Sequence, residues 1–338
     1  MALDLIVEIG NAHEGSLGIA TSMVDMAAKS GAKTVKFQMH LAQHESSVKE
    51  PFRKKFSLQD SNRFEYWQRV NFSFDHWKRL IDYTVAVGLE FLCSPFSLES
   101  AEWLLSDGRI KRWKVGSGEA TNYPLLDYLI DSKLPILLST GLVSWDELLE
   151  IKRRFENKQA WDRVTVLHCV SMYPAPLESI SINILNDLSS ITKNVGYSDH
   201  SGRVSVPLLV YSKGIKTIEV HMTPHKLFFG PDTQASLTPE EIEMVVRISE
   251  EWDVLKSSGA TRDELFNSSS NTANIFRKGT YWKSNLQRGH KVSLNDLVFL
   301  KPNSEIEARE YEIVLGKVLN CDVKQGESVR KSELGKEW

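Results

Sequence analysis

The feature that most constrains the fold of this chain is a regular alternation of apolar segments with segments of helical periodicity. Eight short runs rich in β-branched residues are predicted strands, at 4–9, 33–38, 89–93, 111–115, 134–139, 163–169, 193–198 and 216–221. Predicted helices lie among them, at 17–30, 74–88, 97–106, 122–132, 144–156, 203–213 and 238–256. Such alternation is typical of parallel strands joined by crossover helices. Eight units in about 255 residues predict a (β/α)8 TIM barrel.

A doubly wound open sheet is the alternative fold for this pattern. It usually has fewer strands and an early G-x-G-x-x-G motif, and no such motif follows the first predicted strand. The long stretch 40–73 is predicted to be an insertion at the face where barrels carry function. We therefore assign residues 1–256 to a barrel domain.

The pattern changes after residue 256. Residues 257–274 are polar and rich in Ser and Asn, which predicts a linker. Residues 275–338 contain short strand-like runs separated by turn signals, and the stretch 284–297 resembles the stretch 321–334. This weak repeat predicts a small β-rich domain with internal pseudo-symmetry. About 60 residues are marginal for independent stability, so we expect the domain to dock on the barrel or on a neighbouring subunit.

Composition excludes several classes of protein. The chain has 338 residues, and 41 Lys and Arg against 44 Asp and Glu give a net charge of −3 without a basic stripe, which argues against nucleic-acid binding. No apolar run approaches the ~20 residues that span a bilayer, and the first residues lack the basic region of a signal peptide. The three widely spaced cysteines, Cys93, Cys169 and Cys321, suggest buried thiols in a reducing compartment. We expect a cytoplasmic protein.

Polar side chains occur at or just after every predicted strand. Active-site groups of (β/α)8 barrels lie at the C-terminal ends of the strands. The candidates are Glu8, Lys36, Gln38, Ser94, Lys114, Ser117, Glu119, Ser139, Thr140, His168, Ser171, Tyr173, Ser198, Asp199, His200, Glu219 and His221. A purely structural barrel would not require this pattern.

Two histidines follow consecutive strands, and their rings could face one point above the barrel. Imidazole suits divalent transition metals, with carboxylates or water in the remaining positions. His200 and His221 are therefore candidate metal ligands. The alternative is that one or both make only structural hydrogen bonds.

Two lysines lie within otherwise apolar strands. Lys36 and Lys114 could act as a Schiff-base nucleophile or as charge clamps for phosphate and carboxylate, or they could extend to the rim with the ammonium in water. The Gly-Ser-Gly turn at 116–118 could present backbone N–H groups to an anion. Together with the serines at the strand ends, these groups suggest a cradle for a small doubly charged anion.

Nine sequence motifs, which occur in the same order as in a known family, extend over nearly the whole chain. They are VEIGNAHEGS (7–16), AKTVKFQ (32–38), CSPF (93–96), WKVGSGEATNYPLL (113–126), PILLSTG (135–141), LHCVSMYPAP (167–176), GYSDH (196–200), IEVHMT (218–223) and GPDTQASL (230–237). The set closely resembles the N-acetylneuraminate (sialic acid) synthase family, including its legionaminic and pseudaminic acid synthases. RGHKVSLNDL (288–297) and LGKVLNCDVKQGESVRKSEL (315–334) resemble that family's antifreeze-like (SAF) domain.

The resemblance implies a metal-dependent condensation of phosphoenolpyruvate with an N-acylated amino hexose such as N-acetylmannosamine, giving a nine-carbon 2-keto acid and phosphate. His200 and His221 match the family's ligands for Mn²⁺ or Mg²⁺. The matching phosphoenolpyruvate contacts are Lys36, Ser94, Lys114, Ser117, Ser139 and Ser198. Glu8 matches a carboxylate beside the metal and sugar, Glu119 a carboxylate near the reacting carbons, and Gln38, Tyr173 and Asp232 match contacts to the sugar.

The sequence departs from the family pattern at three places. Ala12 stands where Asn is common, and Ser171 also replaces a common Asn. Lys301-Pro302-Asn303 stands where the SAF domain of sialic acid synthases has Arg-Pro-Gly, whose arginine reaches the N-acetyl group in the partner subunit's site. Lysine does not reproduce the planar fork of arginine, so the identity of the sugar stays open.

Two other functions compete with the condensing synthase. A metal-independent aldolase would use Lys36 or Lys114 as a Schiff base, and it would give the histidine pair no role. A non-catalytic sugar-binding descendant would account for Ala12, Ser171 and Lys301. For the assembly, the polar linker and the family motifs together predict a domain-swapped homodimer in which Lys301 reaches the partner's sugar pocket.

Overall fold

Residues up to Ser257 form a closed barrel of eight parallel strands in the computed structural model, which describes residues 3–335. Each strand pairs with its sequence neighbours, and β1 also pairs with β8, which closes the barrel. The strands are β1 (Asp4–Gly10), β2 (Thr34–Met39), β3 (Glu90–Pro95), β4 (Trp113–Val115), β5 (Ile136–Ser139), β6 (Val164–Cys169), β7 (Val195–Asp199) and β8 (Thr217–Met222). The predicted (β/α)8 barrel is confirmed.

Helices connect successive strands on the outside of the barrel. They span Leu17–Lys29, Phe74–Ala86, Leu98–Asp107, Tyr123–Asp131, Trp145–Asn157, Ser205–Ser212 and Pro239–Ser257. Most begin after a Ser or Asn whose side chain accepts an N–H of the first turn, namely Ser16, Ser73, Ser97, Asn122 and Ser144. Between β6 and β7, where no helix is predicted, two short helices span Leu177–Ile180 and Ile184–Ser189.

Two further elements lie near the C-terminal ends of the strands. The long connection after β2 contains short helices at Ala42–Glu45 and Arg63–Val70. The aromatic side chains of this connection pack in a small apolar cluster that is separate from the main core. A two-residue strand, β9 (Ser236–Leu237), pairs with the end of β8. The predicted insertion at 40–73 is thus a structured segment.

The strands separate an outer apolar core from a smaller inner one. Leu5, Val7 and Ile9 of β1 pack in the large core that includes the helices. Ile6 belongs to a separate buried cluster with Leu92, Leu137 and Leu167. Side chains two residues apart on a strand share a face. The residues two positions after each member of this inner cluster therefore also face the barrel interior, one layer nearer the C-terminal ends of the strands. Those residues are Glu8, Ser94, Ser139 and Cys169, and the inner apolar cluster therefore forms the floor of a polar layer.

An arginine ties three strands together at the opposite end of the barrel. Arg112, just before β4, donates to both carboxylate oxygens of Asp4 at 2.6 and 2.9 Å and to Glu90 at 2.8 Å. Asp4 begins β1 and Glu90 begins β3. Bidentate pairs of this geometry are stronger than ordinary surface ion pairs.

From Ser258 onward the chain forms a second compact unit. The stretch predicted as a linker contains two short helices, Arg262–Ser268 and Ser270–Phe276, and then β10 (Gly279–Trp282) pairs antiparallel with β11 (Leu297–Leu300). The core of the unit surrounds Trp282. Cys93 and Cys169 are buried as expected, but Cys321 is exposed because it lies in a turn of this small unit; all three are free.

The weak repeat in the second unit has a structural counterpart. Leu286 and Val323, each at the third position of its repeat, exchange backbone hydrogen bonds of 3.1 and 2.9 Å. Each repeat then ends in a short 3-10 turn, at Leu294–Asp296 and Lys331–Glu333. Reciprocal pairing of equivalent positions is what a local two-fold relation between the repeats requires.

No helix in residues 3–335 is long and apolar enough to cross a membrane.

Replacing Arg112 by Ala should lower the free energy of unfolding of the barrel by about 2 kcal/mol, because Asp4 and Glu90 would lose their partner at a partly buried site. Chemical denaturation followed by tryptophan fluorescence measures this change. Lys111→Ala is the matched control, since Lys111 is the exposed neighbour of Arg112. Equal destabilisation by both substitutions would contradict the role given to Arg112.

Candidate active site

Strand register brings the candidate side chains together at the C-terminal end of the barrel. Glu8 lies opposite Lys36 on β2 and opposite His221 on β8. Gln38 lies opposite Ser94, and Ser198 lies opposite Glu219. The polar layer is therefore assembled by neighbouring strands, although its members are up to 213 positions apart in the sequence, the separation of Glu8 and His221 (221 − 8).

A buried network of alternating charges occupies the middle of this layer. The Lys36 ammonium is 2.8 Å from Glu8 and 3.8 Å from Glu219, whose other oxygen is 3.6 Å from the Lys114 ammonium. All four side chains are almost completely buried. Charges removed from water must be paired, and this requirement explains why two lysines and two glutamates occur together.

The two lysines differ in their electrostatic environment. Burial opposes the charge of Lys36, but the Glu219 and Glu8 carboxylates outweigh it, so the pKa of Lys36 is raised. For Lys114, burial and the nearby Lys36 ammonium outweigh the attraction of Glu219, so the pKa of Lys114 is lowered. Burial raises the pKa of Glu219, but Lys114 and Lys36 reverse this effect and the pKa lies below its usual value. Lys36 is thus the firmly charged lysine of the site.

Serine hydroxyls surround the network. Ser94 accepts a hydrogen bond from Lys36 at 3.4 Å, and Ser198 donates to Glu219 at 3.1 Å. Ser117 lies 3.2 Å from Ser171, the residue that replaces a common Asn. The Ser139 hydroxyl is buried and has no nitrogen or oxygen partner among residues 3–335, so it can bond to a ligand. Lysines and hydroxyls in this arrangement suit a small anion with charge at both ends.

The two candidate metal ligands face each other beside this network. The rings of His200 and His221 have centroids 5.2 Å apart, and the Tyr173 ring stacks on His200 at 4.1 Å. Nδ1 of His200 is 2.6 Å from the carbonyl of Val170, and Nε2 is 3.0 Å from the Tyr173 hydroxyl. Burial, followed by the neighbouring His221, lowers the pKa of His200 to about 3, so the ring is neutral and its Nε2 carries a lone pair.

These features fit a metal ion held by two imidazoles. Metal-binding histidines usually donate their second N–H to a carbonyl or carboxylate, as His200 does to Val170. Nδ1 of His221 is 4.0 Å from Asp232. In the described part of the chain no three His, Cys, Asp or Glu side chains lie close enough together to form a complete cage. Water or substrate would have to fill the other coordination positions of the metal. A metal site with such open positions can bind a substrate.

The remaining candidates line the space above the network. Gln38 donates to Glu8 at 2.5 Å. Glu119 accepts from Asn122 at 2.8 Å, and burial raises the pKa of Glu119. Asp232 pairs with Arg53 at 3.3 Å, and the guanidinium of Arg53 lies 4.1 Å from the centre of the Tyr173 ring. Gln38, Tyr173 and Asp232, the three predicted sugar contacts, therefore all have partners within the barrel unit.

Several candidates lie outside this assembly. His168 bonds to the carbonyl of Ile180 at 2.7 Å, and Asp199 accepts from Tyr197 and Ser201, so both serve the packing of their own loops. Lys301 belongs to the second unit, where its ammonium lies 5.0 Å from the centre of the Phe276 ring. Its contact with a partner's sugar pocket stays a prediction.

Three site residues were not assigned a role from the sequence. Glu219 is recognisable as polar and at a strand end, and its spacing of two from His221 was a signal that both face the same side. Arg53 and His40 lie in the connection after β2, where no periodic pattern reports which way a side chain points. Only the folded connection shows that they reach the barrel.

The chain is similar to known proteins over most of its length. Residues 23–260 match the NeuB family, and residues 281–335 match the SAF domain. The N,N'-diacetyllegionaminic acid synthase of Campylobacter jejuni is 32% identical over 97% of this chain and 98% of that protein. The human N-acetylneuraminate-9-phosphate synthase is 29% identical over 72% of this chain and 68% of its own length.

A solved structure supports the same assignment. The N-acetylneuraminic acid synthetase of Leptospira borgpetersenii, determined in complex with citrate, superposes with a TM-score of 0.68 at 25% identity. The match covers 80% of this chain and 92% of that one. Since the family match spans most of the barrel and the SAF match follows it, the chain belongs to the NeuB family of synthases, as an enzyme with a TIM barrel and a C-terminal SAF domain.

Proposed function

We propose that this enzyme condenses phosphoenolpyruvate with the open-chain form of an N-acylated amino hexose, such as N-acetylmannosamine, to give a nine-carbon 2-keto acid and phosphate. The observation that carries the proposal is the buried Glu8–Lys36–Glu219–Lys114 network, which lies beside serine hydroxyls and the His200–His221 pair. Family membership supports it.

The network and its hydroxyls form the proposed phosphoenolpyruvate site. Phosphoenolpyruvate carries a carboxylate and a phosphate a few ångströms apart, so it needs cations and donors at both ends. Lys36 and Lys114 supply the cations, and Ser94, Ser117, Ser139 and Ser198 supply the hydroxyls. Because all of these groups except the half-buried Ser117 are buried, their attraction for an anion is screened less than in water.

The histidine pair is the proposed holder of Mn²⁺ or Mg²⁺. When bound, the ion would supply Lewis acidity toward the aldehyde oxygen of the sugar. Tyr173, Gln38 and Asp232 would hold the sugar chain. Glu8 donates no proton in this scheme, since its carboxylate is committed to Lys36 and Gln38; it fixes both of them in place.

The reaction forms one carbon–carbon bond and one carbon–oxygen bond to water, and it breaks the carbon–oxygen bond to phosphate. C3 of phosphoenolpyruvate bonds to the aldehyde carbon, and the aldehyde oxygen takes up a proton. A water molecule adds at C2 and loses one proton, and the hydroxyl so formed gives its remaining proton to the departing phosphate as the bond between C2 and the phosphate oxygen breaks, which leaves the 2-keto group. Glu119 is the carboxyl best suited to transfer a proton, because burial raises its pKa. Lys114 would stabilise charge that develops on the departing phosphate.

A Schiff-base aldolase is the second candidate, and one observation favours it. Lys114 is buried and its pKa is lowered, which is the condition for a nucleophilic lysine. Borohydride trapping with a 2-keto acid distinguishes the two functions, because only an imine is reduced to a stable adduct. A covalent adduct on Lys114 would replace the condensing mechanism by the aldolase mechanism.

The proposed reaction is tested by phosphate release from phosphoenolpyruvate in the presence of Mn²⁺. The acceptor panel contains N-acetylmannosamine, its 6-phosphate and the diacetamido-trideoxy hexoses, because Lys301 in place of arginine leaves the sugar open. We expect release that depends on one of these sugars. Absence of sugar-dependent release across the whole panel would contradict the proposed function.

Replacement of either proposed metal ligand tests the metal site. His200→Ala and His221→Ala should each lower turnover by about two orders of magnitude or more and should weaken Mn²⁺ binding measured by electron paramagnetic resonance. Chelation should inactivate the wild type, and added Mn²⁺ should restore it. His225→Ala is the matched control, since His225 is an exposed histidine in the loop after β8. Full activity of the chelated wild type would show that the metal has no role.

The assembly we propose is a homodimer in which Lys301 of one chain completes the sugar pocket of the other. Mixing inactive His200→Ala and inactive Lys301→Ala chains should then restore activity, because one site of each mixed dimer combines an intact barrel with an intact lysine. Random mixing gives about a quarter of the wild-type activity, since half of the dimers are mixed and one of their two sites is intact. No recovery in preparations shown to contain mixed dimers would contradict the exchanged arrangement.

A further inference from the structure

A further buried histidine, His40, lies beside the Gln38 amide. His40 follows β2 and is 3% exposed. Its ring is stacked between Trp67 and Phe96, with centroid distances of 3.7 and 4.1 Å. Trp67 comes from the connection after β2 and Phe96 follows β3, so the ring is held from two directions.

Both ring nitrogens of His40 face hydrogen-bond acceptors. Nδ1 is 2.5 Å from Oε1 of Glu45, and Nε2 is 3.1 Å from Oε1 of Gln38. The second oxygen of Glu45 accepts the backbone N–H of Leu41 at 3.1 Å, which fixes the carboxylate. A neutral imidazole has a single N–H, so it can satisfy only one of these two acceptors.

The orientation of the Gln38 amide follows from its other partners. Its nitrogen lies 2.5 Å from Glu8, which is a carboxylate paired with Lys36 and therefore an acceptor. Its oxygen accepts from the side-chain nitrogen of Asn11 at 3.1 Å. Reversing the amide would place oxygen against the Glu8 carboxylate. The group that faces His40 is thus the amide oxygen, and the ring must donate to it.

The surroundings of His40 suit a cation. Glu45 supplies a paired negative charge, and the faces of Trp67 and Phe96 attract a cation through their ring electrons. The other titratable groups that interact electrostatically with this pair are His13, whose pKa is lowered to about 3 by burial and then by His40, and Glu119. His13 is therefore neutral and adds no competing charge.

We propose that His40 is a positioning residue that, as an imidazolium clamped by Glu45, fixes the Gln38 amide so that one of its N–H groups is presented to the acceptor sugar. The Gln38 oxygen is saturated by Asn11 and His40, and one N–H is used by Glu8. In residues 3–335 the second N–H has no protein partner. This inference rests on the proposed function, in which Gln38 contacts the sugar.

Gly10 keeps the space beside this amide open. Its φ of +54° is in the left-handed region that glycine tolerates. A Cβ built at this position would lie 3.1 Å from the Glu8 carboxylate oxygen and 3.5 Å from the Gln38 amide nitrogen. The end of β1 therefore has no side chain that could compete with a ligand for the Gln38 N–H. An amide donor held in this way selects a hydroxyl or carbonyl oxygen on the sugar.

The kinetic test compares two histidines at the start of the connection after β2, of which His40 is buried and His44 is exposed. His40→Phe keeps an aromatic ring between Trp67 and Phe96 but donates no hydrogen bond. His44→Phe is the control, because His44 is four residues away and pairs at the surface with Glu99. We expect His40→Phe to raise KM for the amino sugar about tenfold, the effect of one lost hydrogen bond, with KM for phosphoenolpyruvate within twofold of wild type. His44→Phe should change neither. An unchanged sugar KM in folded His40→Phe would overturn the proposal.

A second measurement on the wild type does not depend on activity or on the folding of a variant. Nitrogen-15 NMR of histidine-labelled protein at the assay pH distinguishes a ring with two N–H groups from a ring with one. Two protonated nitrogens on His40 support the proposal, and a single one overturns it. If no sugar of the panel is condensed, the proposed function fails, while this spectrum still decides the state of His40.

Discussion

The burial of four charged side chains in the barrel interior is the constraint on which the rest of the site depends. Glu8, Lys36, Glu219 and Lys114 lie above a floor of aliphatic residues, where an unpaired charge would cost several kcal/mol. Pairing within the network removes that cost only while the strands keep their register. The same register places the serine hydroxyls around the lysines. The arrangement that allows these charges to be buried thus also forms the proposed anion site.

The charge network is connected to the sugar side through one amide. Glu8 binds Lys36 with one oxygen and Gln38 with the other, and Gln38 in turn meets Asn11 and His40. A displacement of the amide would disturb the proposed phosphoenolpyruvate and sugar sites together. This coupling gives a physical reason for a barrel enzyme to hold its two substrates in fixed relation, since a bond must form between them. Two residues of the connection after β2 contact the site, since Trp67 stacks on His40 and Arg53 pairs with Asp232.

The two buried histidines His200 and His40 show how neighbouring groups determine the role of an imidazole ring. His200 donates through one nitrogen to a backbone carbonyl and keeps a lone pair on the other, which suits a metal ligand. His40 faces two acceptors and sits between two aromatic rings, which suits a cation. The residue type is the same in both places. Its partners, supplied by different loops, determine whether the ring accepts or donates.

The sequence by itself determined the barrel, the bounds of its eight strands to within a few residues, and which positions bring polar groups to the active end, because strand and helix periodicity are local properties of the chain. It also contained the motifs that identify the family. Only the tertiary structure decided that Glu219 is central, that Arg53 reaches Asp232 and that His40 clamps Gln38. Glu219 meets its partners through barrel closure and register, and Arg53 and His40 lie in an irregular connection. The direction of such side chains is set by contacts with residues distant in sequence, which no local pattern encodes.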